Sequence, residues 1–165
     1  MSNWFALQVR PKQERSAALH VSRLGLDEYV PLARVRRQWS DRVKQLDAPL
    51  FPGYIFARFS YADRLRVLNS PGVQMQVGAV DDAEIDAVRT LVASGRPLAH
   101  LPFLRIGERV TIERGPFAGI RGVVLREETA WRVVVSVEAL GRSLAVELDR
   151  EVLEKWPSTS LATAR

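Results

Sequence analysis

The stretch "ERGPFAGIRGVVL", Glu113 to Leu125, holds three glycines, one proline and two arginines ahead of an aliphatic run. It offers no nucleophile, no histidine and no pair of carboxylates, so it does not read as a catalytic loop. It reads as a tight turn feeding a buried strand. Gly115 and Gly119 suit turn geometry, and Gly122 suits close packing or a bulge. Pro116 and Phe117 at the tip leave two readings open: scaffold, or an exposed aromatic that touches a partner.

Around this turn the pattern is one of short strands. "RVTI", "IRGVVLR", "WRVVVSV", "SLAVEL" and then "EVLEKW" recur at about ten-residue spacing, which predicts a small β-barrel over residues 105–156. Residues 157–165, "PSTSLATAR", read as a loose tail. Residues 97–104 lie in "RPLAHLPFLRIG", which has two prolines and no period, and read as a linker.

Residues 1–96 read as a separate α+β domain. "NWFALQV" alternates, with Phe5, Leu7 and Val9 on one face and Trp4, Ala6 and Gln8 on the other. Pro11 suits a first helical position, and a helix is predicted over 12–24 with Gly25 as its stop. Ala17, Ala18, Val21 and Leu24 share its apolar face, and Lys12, Arg15, His20 and Arg23 the opposite arc. "RVRRQWSDRVKQLD" predicts a hairpin turning near Ser40–Asp41. In "PLFPGYIFARF", Ile55, Ala57 and Phe59 face one way and Tyr54, Phe56 and Arg58 the other. "GVQMQVG" predicts a strand with Val73, Met75 and Val77 inward. "DDAEIDAVRTLVASG" predicts a helix with acids in its first turn and an apolar stripe of Ile85, Val88, Leu91 and Val92.

Composition narrows the function classes. The 165 residues are 47% hydrophobic and 26% charged, ordinary for a soluble globular chain. No apolar run approaches the ~20 residues of a bilayer span, and the N-terminus lacks a signal-peptide pattern, so no membrane contact and a cytoplasmic location are expected. There is no cysteine and there are two histidines, His20 and His100, which excludes thiolate metal sites and a histidine-rich one. No metal, cofactor or enzymatic activity is expected. Asp81, Asp82, Glu84 and Asp86 read as helix-dipole partners, and neither a Walker nor a dinucleotide motif occurs. The net charge of +5 favours an anionic partner. Residues 1–66 hold twelve Lys/Arg against six Asp/Glu, so the excess lies near the N-terminus.

Two features stand out. Tyr54 and Phe56 occupy the second face of a strand whose first face is already apolar, with Phe51 just ahead of them. Either a helix of the chain covers them, or they form an exposed patch that marks a partner site. The basic helix face and the basic hairpin around Trp39 either contact phosphates and stack on a base, or are solvated charge that guards an edge.

In order along the chain, "WFALQVRPKQE", "PLFPGYIFARF" and "GERVTIERGPFAGIRGVV" resemble the NusG family of transcription elongation factors, and "VSVEALGRSLAVELD" resembles the later strands of its KOW domain. The resemblance implies an N-terminal NGN domain, an antiparallel sheet flanked by helices, and a five-stranded SH3-like KOW barrel. "RRQWSDRVKQLDAPLFPGY" and the short linker look more like the UpxY and RfaH type, paralogues that act on selected operons. The implied function is a monomeric, non-enzymatic factor that modulates pausing, termination or antitermination.

The resemblance also assigns surfaces. The pocket for the β′ clamp helices of RNA polymerase falls on Phe51, Tyr54 and Phe56. Contact with the displaced non-template DNA strand falls on Arg10, His20 and Arg23, with Lys12 and Arg15 on the same basic surface. The strand-1 aromatic of RfaH-type proteins is Gln8 here, and a gate-loop contact would fall at Asp63 to Leu65. The loop that meets ribosomal protein S10 or Rho matches Ala139, Leu140 and Arg142. The alternative is a ribosome-associated RNA-binding KOW protein, which would have no need of the "FPGY" aromatics.

Overall fold

The computed structural model describes residues 1–38, 40–102, 108–111, 117–126 and 131–148. The chain is a mixed α/β protein in which every strand pair among the described residues is antiparallel. It divides into two compact units, Met1–Val80 and Asp81–Arg165. The division lies ahead of the helix assigned by sequence to the first domain, which joins the second unit instead.

The first unit carries a four-stranded sheet in the order β2-β5-β1-β6, formed by Asp27–Tyr29, Tyr54–Phe59, Asn3–Val9 and Val73–Val80. Helix α1 (Glu14–Arg23) packs on β2 and β5. Its Ala17, Ala18 and Val21 join Leu7, Val9, Ile55, Ala57 and Phe59, with Val67 of α2 (Arg64–Leu68), in one buried cluster. The small residues let the helix approach the sheet. Each large side chain buried there contributes about 1.5–3 kcal/mol. The helix begins two residues later than the sequence suggested. Lys12 has φ +64, so Pro11–Lys12 form a turn that aims the chain into α1 rather than its first residues.

Strand β6 corrects a second expectation. Met75 and Val77 are exposed, not inward. The register against β1 slips between Ala6 and Leu7 and again between Gln8 and Val9. Each slip adds a residue to β6, and an added residue reverses which face the next side chain meets. Simple alternation therefore fails for this strand.

Strands β3 (Leu32–Gln38) and β4 (Val43–Pro49) form a two-stranded ribbon of their own, in register from Leu32 opposite Pro49 to Gln38 opposite Val43. Its turn falls where the sequence placed it.

The second unit is a five-stranded sheet in the order β7-β11-β10-β9-β8, formed by Leu98–Pro102, Arg142–Leu148, Trp131–Val137, Arg121–Arg126 and Glu108–Thr111. The described residues give an open ladder with β7 and β8 at its edges. Most of the expected linker is therefore strand β7, paired with β11 from Arg142 opposite Pro102 to Val146 opposite Leu98. Prolines are tolerated on an edge strand, which is why this segment read as loop. Helix α3 (Asp82–Ala93) packs on β10 and β9. The opening stretch behaves as scaffold where it is described. Phe117 is fully buried with the Arg96 guanidinium 5.5 Å from its ring centre, and Gly119 has φ +87. A Cβ on Gly122 would stand 2.5 Å from the Val134 carbonyl oxygen, so β9 and β10 approach only because that residue is glycine. Gly115, Pro116, the expected strand "EVLEKW" and the expected tail lie outside the described residues.

Candidate functional site

The "FPGY" segment is a tight turn. The Tyr54 N–H donates to the Phe51 carbonyl at 3.0 Å, Pro52 sits at its second position and Gly53 has φ +84 at its third. Proline followed by a left-handed residue is the pattern of a type II turn. Two further bonds fix it. The Gly53 carbonyl accepts from the Val9 N–H at 2.9 Å, and the Gly53 N–H donates to Glu14 Oε1 at 2.8 Å. Glu14 is a buried carboxylate in the first turn of α1. Sequence reasoning missed it, since an acid at a helix start reads as a dipole partner and nothing local marks a turn 39 residues away.

The turn places the aromatics, but not as an exposed patch. Phe51 and Phe56 are fully buried, at 1% and 0% exposure, and only Tyr54 is half-exposed. Phe51 meets Phe56 edge-on at 6.0 Å between centroids, and Tyr29 stacks beside Phe56 at 6.3 Å. The exposed-patch reading therefore fails for Phe51 and Phe56. Aromatic edges and faces satisfy one another, and the rings become a second small core. The exposed part of this face is a row across the strands. Gln8 pairs with Tyr54 on one side and with Met75 on the other, and Met75 is 50% exposed. Met75 was missed because the β6 bulges hid its direction.

A second surface is basic. Arg10, Lys12, Arg15 and Arg23 are exposed and His20 is half-buried. At 100° per residue, Arg15, Leu19 and Arg23 share an arc of about 80°, and Leu19 is 51% exposed between the two cations. Arg15 donates to the Asp47 carbonyl of β4 at 3.3 Å. An open groove of about 440 Å³ lies there, lined by Arg15, Arg34, Gln45, Leu46 and Asp47. The helix face and the ribbon, two features in the sequence, thus meet in one groove. The Arg34–Asp47 pair is long, at 4.0 Å, and exposed, so it contributes little to stability and leaves Arg34 able to turn to an anion.

The third surface lies on the second unit. Ala139 and Leu140 sit half-buried in a 3-10 turn (Glu138–Leu140), Gly141 follows with φ +59, and Arg142 is exposed at the start of β11. Glu84 of α3 holds this turn. Its Oε1 accepts from the Glu138 N–H at 3.1 Å, and its Oε2 accepts from the Asp81 N–H at 3.3 Å as part of a capping box. Burial raises the Glu84 carboxyl above its ordinary value, and the carboxylates of Asp81 and Glu138 push the same way. Asp63 accepts from Ser60 and Arg66 beside the exposed Tyr61 and Leu65. Among the described residues no group of three or more His, Cys, Asp or Glu side chains is placed to hold a metal, and no helix is long and apolar enough to cross a membrane.

Residues 2–89 match the family described as "Transcription termination factor nusG". The transcription termination/antitermination protein NusG of Escherichia coli K12 is 32% identical over 143 residues, 78% of this chain and 74% of that protein. The NusG of Vibrio vulnificus is 28% identical over 175 residues, covering 92% and 94%. A solved structure titled "Domain interaction in Thermotoga maritima NusG" shares 21% identity over 90% of this chain and 93% of that one, with a TM-score of 0.49. With its family match spanning the four-stranded sheet and its helices, the chain belongs to the NusG family of transcription termination/antitermination factors.

Proposed function

We propose that this factor acts by binding RNA polymerase at the β′ clamp through the row of Tyr54 and Met75, with Phe51 and Phe56 holding that row from beneath. The family match supports the partner, and the half-exposed Tyr54 beside an exposed Met75 supports the place. Bound across the cleft, the protein favours the closed, elongating clamp by its higher affinity for that state. The basic groove around Arg15, together with Arg10, Lys12, His20 and Arg23, faces the non-template DNA strand. The second unit is the KOW module, of the SH3-like class. Its turn at Ala139, Leu140 and Arg142 recruits a further protein, ribosomal protein S10 or Rho. The protein works as a cytoplasmic monomer.

The test separates contact from support. Tyr54→Ser with Met75→Ser removes the row while leaving Phe51 and Phe56 packed. Polymerase affinity falls by about 2 kcal/mol or more, roughly 30-fold, as for hot-spot side chains, and the circular dichroism spectrum is unchanged. Phe56→Ser empties a fully buried site and costs about 3–5 kcal/mol of stability. A double-serine variant that binds polymerase like the wild type sinks the proposal.

A further inference from the structure

We infer that the β3–β4 ribbon binds duplex DNA by entering its major groove, a contact distinct from the single-strand contact of α1. The inference rests on reading the Arg15 groove as facing nucleic acid.

The ribbon is its own two-stranded sheet, and its seven paired residues span about 23 Å at the usual rise of a strand. Between positions 34 and 44 the sequence carries Arg34, Arg36, Arg37, Arg42 and Lys44 against Asp41 alone. Arg37 stands opposite Lys44 in the register, so one position of the ladder near the tip pairs two cationic residues. Facing cations in a ladder are destabilising unless an anion lies between or beside them. Arg34 and Arg42 are exposed, and the ribbon also exposes Val43 at 54% and Leu46 at 37%. A ribbon that only guarded an edge with charge would have no use for exposed apolar residues among its cations. A major-groove reader has use for both: cations for phosphates, apolar groups for thymine methyls.

The dimensions select the form of the acid. The B-DNA major groove, about 12 Å wide, admits a two-stranded ribbon. The major groove of an RNA helix is too narrow and deep for one. A single strand has no groove to enter. The Arg15 hydrogen bond to the Asp47 carbonyl ties the root of the ribbon to α1, so a duplex in the ribbon's grip has its frayed strand led toward the helix face.

The experiment uses the full chain and three fluorescent probes of one sequence: a 20-base-pair DNA duplex, the single DNA strand and the RNA duplex. Arg37→Gln with Arg42→Gln removes two ribbon charges near its tip, and His20→Gln with Arg23→Gln alters the helix face. For the DNA duplex, the ribbon variant flattens the plot of log affinity against log salt by about 1.8, two phosphates at ~0.9 each. Single-strand binding is unchanged. The helix variant does the reverse. The inference is overturned if the ribbon variant keeps the wild-type duplex slope, or loses all three probes alike. If instead the helix variant leaves single-strand binding intact while the ribbon variant loses the duplex, the strand contact proposed for α1 fails and the ribbon contact stands.

Discussion

Replacing Glu14 by alanine removes a side-chain bond that ties α1 to the Phe51–Tyr54 turn. The carboxylate lies 2.8 Å from the Gly53 N–H and is buried at 6% exposure, so water replaces it poorly. A hydrogen bond to a charged group contributes about 1.5–3 kcal/mol. An acid in the first turn of a helix adds about 0.3–1 kcal/mol from the dipole. Against this, alanine is the better helix former by a few tenths, and folding no longer desolvates a carboxylate. The net loss is about 2 kcal/mol. For the 80-residue unit Met1–Val80 this lowers the melting temperature by about 8–16 °C. Glu14→Gln keeps an acceptor of the same shape and loses only charge assistance and the dipole contribution, about half as much. Thermal unfolding followed by far-ultraviolet circular dichroism gives the ranking, and amide exchange at Gly53 gives the location. Because the turn sets Tyr54, polymerase affinity falls in the same order. A Glu14→Ala protein that melts within a degree or two of the wild type, with Gly53 still protected, refutes the reasoning.

Gly122→Ala places a methyl group 2.5 Å from a backbone oxygen that has no room to retreat, so it costs about 3 kcal/mol, the upper end for overpacking. The loss shows as faster amide exchange along β9 and β10, while the first unit melts unchanged. Glu84→Gln removes the pH dependence that Glu84 gives the second unit. The folded-state value of Glu84 is raised, so its stabilising contribution is full below the ordinary 4.5 and is lost as pH rises through the higher folded value. Glutamine stays neutral throughout, so the melting temperature of the wild type falls more steeply with rising pH across that window than that of the variant. An equal pH dependence in the two proteins contradicts the assignment.

Local pattern settled the type and turns of several elements. Alternation in "NWFALQV" and "YIFARF", the helical stripe of α3 with its stop at Gly95, and the ribbon turn near Ser40 are all legible because period and turn chemistry are properties of adjacent residues. The order of the motifs likewise carried the family, and the basic face of α1 was visible as charge. The rest depends on partners far along the chain. Whether Phe56 is a surface or a core was undecidable from its strand, since the answer lies with Phe51 and Tyr29, held beside it by the turn and by β2. Met75 faces solvent because bulges opposite β1 reset its register, and a bulge has no local signature in "GVQMQVG". Proline-bearing "LAHLP" became a strand only because β11 offered an edge. The roles of Glu14 and Glu84 arise from backbone donors 39 and 54 residues away. Sequence fixes what each residue is able to satisfy; only the tertiary structure decides which distant group it is set against.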